Sequence, residues 1–253
     1  MTRTMITGAA NGIGRATALL LAREPDAQLL LIDRDGEALE RATTEVREAG
    51  ATVCTLVADV AQVESAAQAA GLAEEKMGGL DGLFSNVGYS VRKPLAELTV
   101  EEWDQNMNVH ARACWLFAKA CRPALLRSDR AAVVATASIS GVAPHPGLGT
   151  YSTGKAATIM LCQQLALEWA PDGIRVNVVS PGTTQTLAAV RLDSPGRTEK
   201  VSNAVPLGRR ADAEEIAQVV VFLLSPLASY LTGANVVADG GLVLTAMERI
   251  IDR

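Results

Sequence analysis

Residues 7–14 read "TGAANGIG". Before them, "TRTMIT" (2–7) is short and apolar enough for a strand; "GIGRATALLLARE" (12–24) has helical spacing and should stop near Pro25. Gly8, Gly12 and Gly14 lack Cβ atoms, so the chain can turn tightly here and an anion can approach the backbone. The following helix turns its N-terminal amides and positive dipole end towards the same spot. A glycine-rich turn alone is a weak signal. A strand before it, a helix after it and an acid about twenty residues on make it the pattern of a dinucleotide pyrophosphate site. Asp33, which ends "LLLID", is that acid. Its carboxylate suits the two hydroxyls of an adenosine ribose and would repel a 2′-phosphate, which favours NAD over NADP. Arg34 beside it carries a charge that a phosphate could meet, and a role for Asp33 as the N-cap of the next helix is also open.

Working outward, the chain alternates. "AQLLLID" (27–33), "TVCTLVADV" (52–60), "LDGLFSNVG" (80–88), "AAVVATAS" (131–138), "IRVNVVSPG" (174–182) and "ANVVADGG" (234–241) read as strands or strand–turn units. Between them lie "GEALERATTEVREAG" (36–50), an amphipathic helix stopped by Gly50, a helix over about 61–77 and a long helix from Thr99 to Leu126. A helix from Tyr151 to about Ala170 and one at "DAEEIAQVVVFLLS" (212–225) complete the set. Strand–helix alternation predicts an α/β fold: a single doubly wound domain, 1–253, with a parallel sheet and helices on both faces. Ligands in such sheets bind beyond the carboxyl ends of the strands. The unusual polar clusters fall at those ends: Gly8 to Gly14, Asp33, Asp59, Asn86 to Gly88, Ser138, and Pro181 to Thr186.

Composition narrows the function. The 253 residues are 49% hydrophobic and 20% charged, enough apolar material for a large core. With a net charge of −5 and no long basic run, nucleic acid and anionic membrane are poor partners. No apolar stretch reaches the ~18 residues of a membrane span, and the N-terminus lacks a signal-peptide core, so the chain reads as cytoplasmic. Cys54, Cys114, Cys121 and Cys162 form no CxxC pair and read as reduced thiols of the core. His110 and His145 are the only histidines, with no second ligand at metal-binding spacing, so no metal is expected. His145 suits either the surface or a pocket wall.

"YSTGKAA" (151–157) places Tyr151 and Lys155 four residues apart, on one face of a helix. A phenol of pKa ~10 is a poor acid–base group at neutral pH, and a fixed ammonium beside it favours the ionised form. Asn86 reads as architectural, tying neighbouring strand ends together through its amide. Asp59 suits an adenine edge with Val60 packed on the ring, or a cap on the next helix. Asn108 shares a face with Ala111 and Trp115, where an amide is costly unless satisfied.

In this order, "TGAANGIG", "LLLID", "ADV", "SNVG", "NMNV", "ATASISG", "YSTGK", "RVNVVSPGTTQT" and "GANVVADGG" resemble the short-chain dehydrogenases/reductases over essentially the whole chain. The resemblance implies one Rossmann-type domain with a seven-stranded parallel sheet, NAD or NADP as cofactor, interconversion of alcohols and carbonyls, and a homotetramer. It implies a catalytic set of Asn108, Ser138, Tyr151 and Lys155, with Ser140 a weaker rival to Ser138. Tyr151, as phenolate, would take the hydroxyl proton; Ser138 would donate to the substrate oxygen; Lys155 would hold the nicotinamide ribose; Asn108 would hold a relay water. Ile13 would meet the phosphate bridge, Val87 and Gly88 would lie along the cofactor, and Thr184 and Thr186 would reach the carboxamide. Asn11, Pro181 and Gly182 complete the implied cofactor set. To act near neutrality the phenol must fall roughly three units, at about 1.36 kcal/mol each, a shift expected from Lys155 together with the positive nicotinamide.

Three features depart from the commonest pattern or add to it. Ser85 stands where the family usually has Asn. Gly154 interrupts the Tyr151 helix, where it costs about 1 kcal/mol relative to Ala, and suggests a close approach of cofactor or sheet. Residues 187–206 form a long aperiodic connection expected to act as a lid. The expectation is an NAD-dependent oxidoreductase interconverting a secondary alcohol and a ketone. The alternatives are a 3-oxoacyl reductase acting on acyl-carrier-protein substrates, a cyclic dihydrodiol dehydrogenase, or a catalytically silent NAD-binding regulator.

Overall fold

Seven apolar runs form seven parallel strands of one sheet. In the computed structural model, which describes residues 2–186 and 196–246, β1 (Arg3–Thr7), β2 (Gln28–Asp33), β3 (Thr52–Val57), β4 (Gly82–Ser85), β5 (Ala132–Thr136), β6 (Arg175–Pro181) and β9 (Asn235–Ala238) stand in the order β3-β2-β1-β4-β5-β6-β9. Strand β1 pairs with β2 on one side and with β4 on the other. The order of travel therefore reverses between β1 and β4, and that is where a cleft opens in such a sheet. A second ladder joins β7 (Thr184–Gln185) to β8 (Ala211–Asp212).

The five inner strands, β1, β2, β4, β5 and β6, are buried on both faces, and successive residues feed opposite layers. Met5, Leu30, Leu83 and Val133 pack with Cys114, Phe117, Cys162 and Trp169 on one face. Those partners come from α5 (Ala113–Leu125) and α6 (Tyr151–Trp169), with α3 (Val63–Met77) beside them. Ile6, Leu29, Leu31, Phe84 and Val134 point the other way. They meet α1 (Gly12–Leu21), α2 (Gly36–Glu48) and α8 (Ala213–Leu224) through Leu21, Leu39, Val46, Val220 and Leu223.

Two boundaries differ from the reading of the sequence. Helix α1 ends at Leu21, with Ala22 as its C-cap, three residues before Glu24, the residue that Pro25 disfavours in helical conformation. The helix expected over 99–126 is three pieces: α4 (Val100–Met107), a π-turn over Asn108–Arg112, and α5. The π-turn inserts an extra residue and rotates the downstream face. Trp115, expected on the face of Asn108, is therefore exposed, while Cys114, Phe117 and Ala118 are buried. Of the expected lid, 187–195 lie outside the described residues; 197–203 form α7 (Arg197–Asn203).

Glycines at two helical positions should respond oppositely to a methyl group. A Cβ on Gly14 would lie 2.1 Å from the Gly8 carbonyl oxygen, whereas one on exposed Gly71 in α3 meets nothing within 4 Å. Gly14→Ala should lower Tm by about 5–10 °C, and Gly71→Ala should raise it slightly, by about 1–3 °C. Thermal melts of the two variants check both signs.

Candidate active site

The helix that follows the glycine turn has an unusual start. Asn11, its N-cap, makes no side-chain capping bond, and the first turn contains no acidic residue. Three other helices are capped by side chains: Asp35 accepts from the Ala38 amide, and capping boxes stand at Thr99/Glu102 and Asp212/Glu215. The α1 amides and their positive end are thus left for an anion. Gly8 and Gly12 take the left-handed backbone that favours glycine, with φ of 66° and 54°. A Cβ on Gly8 would press on the Asn86 amide at 3.1 Å. These residues fit a dinucleotide's phosphates.

Asp33 lies at the edge of the same cleft. It caps no helix: its carboxylate accepts from the Ala10 amide at 3.1 Å and the Asp35 amide at 3.2 Å, fixed between the glycine turn and the end of β2. Asp59 closes a turn on the Ala61 amide, 2.9 Å, and likewise does not cap α3, whose N-cap is Gln62. Val60 beside it is buried.

Asn86 joins three strand ends. Its backbone N–H donates to Thr7 Oγ1 (3.0 Å), its Nδ2 to the Gly8 carbonyl (3.2 Å), and its Oδ1 accepts from Thr136 Oγ1 (3.0 Å). Thr136, the last residue of β5, then accepts Lys155 Nζ on its carbonyl at 2.7 Å. One hydrogen-bonded path runs from the glycine turn to Lys155. Ser85, in the place of the usual Asn, stands against the Cys114 thiol.

Lys155 is buried, with its ammonium 5.7 Å from the centre of the Tyr151 ring. Burial pulls its pKa down to about 8, with a smaller opposing pull from Cys114. Tyr151 is half-buried. Burial pushes its phenol above the ordinary value, and a hydrogen bond with Ser138 pulls the other way. Among the protein's own groups burial therefore wins, and the lowering expected of Lys155 together with the positive nicotinamide has this burial to overcome. Ser138, at the end of the β5 unit, is buried and also accepts from the Ser140 amide at 3.1 Å. Asn108 opens the π-turn, its Oδ1 accepting from Arg112 at 3.4 Å.

All the residues of the implied catalytic and cofactor sets, Gly14 excepted, line one cavity of about 1390 Å³. Gly14 sits beneath it, a packing position against Gly8. Thr184 donates to the Gly182 carbonyl at 3.3 Å. The sequence reading missed the wall beyond the phenol: Ser90, Arg92, Gln105, Leu148, Val201 and buried Arg210 also line the cavity. They come from loops and helix ends without periodicity or motif. Thr136 was missed because its role lies in a backbone carbonyl. His145 is exposed and bonded to the Pro146 carbonyl. Gly154 faces neither cofactor nor sheet: a Cβ there would meet Asn106 Oδ1 at 3.1 Å and His110 Cγ at 3.3 Å. Among the described residues, no group of three or more His, Cys, Asp or Glu could hold a metal, and no helix is long and apolar enough to cross a membrane.

Left-handed glycines before an uncapped helix start at one end of a cleft, with a buried lysine under a phenol at the other, fit a dinucleotide-dependent redox site. Known proteins of similar sequence and fold agree. Residues 8–243 match the family model described as enoyl-(acyl carrier protein) reductase. The 3-oxoacyl-acyl-carrier-protein reductase FabG of Thermotoga maritima is 33% identical over 240 residues, 95% of this chain and 97% of its own. Among solved structures, levodione reductase superposes with a TM-score of 0.91 at 33% identity, covering 96% of this chain and 98% of that one. An NAD⁺-bound xylitol dehydrogenase gives 0.90 at 31% identity, over 95% and 98%. The chain belongs to the short-chain dehydrogenase/reductase family. It is an oxidoreductase of a family that binds nicotinamide cofactors.

The buried ammonium carries a stability consequence. With its folded pKa near 8, below the ordinary 10.5, the native state holds Lys155 charged at a cost below pH 8. That cost fades between about 8 and 10.5, where the unfolded chain binds the extra proton. Lys155→Met should therefore raise Tm at pH 6.5, with the gain shrinking towards pH 10. A lower Tm at pH 6.5 would contradict the assignment.

Proposed function

We propose that the protein interconverts a secondary alcohol and a ketone with NAD, Tyr151 serving as the acid/base. The observation that carries this reading is the buried Lys155 ammonium, held by the Thr136 carbonyl beneath the ring of Tyr151, whose phenol is hydrogen-bonded to Ser138. When bound, the nicotinamide supplies the hydride acceptor or donor. The chain's own residues do the rest. Ser138 and the phenol converge on one oxygen of the substrate, Ser138 donating to it as negative charge grows and Tyr151 exchanging its proton. Lys155 is placed to hold a ribose hydroxyl and to bias the phenol towards its ionised form once a second positive charge lies alongside. Asn108, half-buried on the π-turn, supports the relay of that proton towards solvent.

The preference for NAD rests on Asp33, a carboxylate fixed by two amides where a 2′-phosphate would have to sit. Arg34, exposed next to Asp33 in the cavity lining, favours a phosphate. The NAD⁺-bound xylitol dehydrogenase is in keeping with this choice. A second reading, reduction of a 3-oxoacyl group on acyl carrier protein, has the Thermotoga relative in its favour. A net charge of −5 opposes docking of an acidic carrier. A homotetramer in the cytoplasm remains the expected state, and exposed Trp115 of α5 with Met160 and Leu167 of α6 offers apolar surface for it. Light scattering reads the assembly directly.

NAD⁺ should raise Tm more than NADP⁺ at equal concentration, and Asp33→Asn should narrow or reverse that difference; equal shifts in the native protein would remove the Asp33 argument. Tyr151→Phe should cut turnover by at least about 10³-fold in a screen of alcohols and ketones followed by NADH absorbance, while the NAD⁺-induced Tm shift stays. Retained turnover would take Tyr151 out of the chemistry.

A further inference from the structure

His110 lies behind Tyr151, outside the cavity lining, and is buried. Its ring meets the Tyr151 ring edge-on, with centroids 5.4 Å apart and planes at 87°. Its Nε2 meets the Tyr89 backbone alone, 2.7 Å from the carbonyl oxygen and 3.2 Å from the amide nitrogen, so the ring is tied to Tyr89 through one nitrogen. Asn106, one turn earlier, donates to the same carbonyl at 3.2 Å. Tyr89 begins the loop after β4 that reaches Ser90 and Arg92 on the wall beyond the phenol. Gly154, three residues after Tyr151, leaves the room that the imidazole and Asn106 occupy, since a Cβ would come within 3.3 Å of His110 Cγ.

We propose that His110 is a positioning residue for Tyr151: seated in the space left by Gly154, it backs the phenol ring edge-on while holding the Tyr89 loop, so that one side chain sets both the acid/base and the adjoining wall of the substrate pocket. An edge-to-face pair of this geometry is a directional contact, and the Tyr89 backbone, whose carbonyl also accepts from Asn106, fixes the ring's orientation. The imidazole does this as a neutral group. Burial, with a smaller push from Lys155, drops its pKa to about 2, so it stays uncharged at any working pH. The π-turn explains why the residue is there: it rotates His110 inward, onto α6, at the start of the realigned helix.

The inference rests on Tyr151 as the acid/base, and its test reads Tyr151 without a substrate. The chain has three tyrosines, so the tyrosinate absorbance of each variant, less that of the same variant carrying Tyr151→Phe, isolates the Tyr151 titration. His110→Ala opens the back of the ring to water and should move that midpoint down by about 0.5 unit or more. His110→Phe, which keeps a ring, should leave it near the native position; His110→Gln, which keeps a polar group for the Tyr89 backbone, should shift it as alanine does. Gly154→Ala displaces the imidazole and should shift it too, and His110→Ala/Gly154→Ala should shift it no further than His110→Ala alone. With a substrate in hand, His110→Ala should lower kcat roughly tenfold and leave KM for NAD within about twofold. An unmoved midpoint in His110→Ala with a native circular dichroism spectrum, or fully additive shifts in the double variant, would overturn the proposal. If His110→Ala does not fold, His110→Gln against His110→Phe carries the same comparison, and equal midpoints in the two would overturn it. Shifts as expected in a protein that turns over no alcohol or ketone would uphold the positioning role and count against the proposed reaction instead.

Discussion

The site depends on one buried hydrogen bond, from the Lys155 ammonium to the Thr136 carbonyl at the end of β5. A cation taken out of water is tolerated only where fixed dipoles replace its hydration, and here the sheet supplies one. Its cost is visible in the depressed pKa of about 8. Because the ammonium is tied to a strand end and not to a flexible side chain, its distance to the Tyr151 ring is set by the packing of α6 on the sheet. The same threonine, through its hydroxyl, bonds Asn86, which in turn bonds the Gly8 carbonyl. The phosphate cradle and the proton-handling pair are thereby held in register across the point where strand order reverses, between β1 and β4.

Helix starts divide the labour. Four residues at two of them, Thr99 with Glu102 and Asp212 with Glu215, close capping boxes, and Asp35 caps α2. Helix α1 has no such partner and no acid in its first turn. An unsatisfied helix N-terminus beside left-handed glycines has a use only if an anion arrives.

Much of this was legible in the sequence. All seven strands of the main sheet and the cleft at their carboxyl ends follow from hydrophobic runs punctuated by glycine and small polar residues. The glycine turn, Asp33 and the Tyr151–Lys155 spacing stand out because short-range spacing alone carries their meaning. What was not legible depends on three-dimensional phase. The π-turn at Asn108–Arg112 leaves the composition of its helix unchanged and shifts its register by one residue, so the buried face runs through Cys114 and Phe117 and not through Trp115. Asn106 and His110, four residues apart, held a signal that becomes readable only once Gly154 is known to lie opposite. Gly14 looked like a ligand contact and is a packing contact, since sequence cannot distinguish a backbone approached by a phosphate from one approached by another turn. The sign of the Tyr151 shift was also out of reach: it is a balance of burial against charge, and burial is a property of the fold.

The central claim is that the protein alone holds the phenol above its ordinary pKa and that the bound cofactor's positive ring completes the field that lowers it. Carbon-13 labelling of the tyrosine ring at Cζ, followed by NMR through a pH titration with and without NAD⁺, tests this most directly. The account predicts a Tyr151 midpoint above the ordinary value of 10.0 in the protein alone and a fall towards ~7 with NAD⁺ bound. A midpoint that stays where it is when NAD⁺ is demonstrably bound would contradict it.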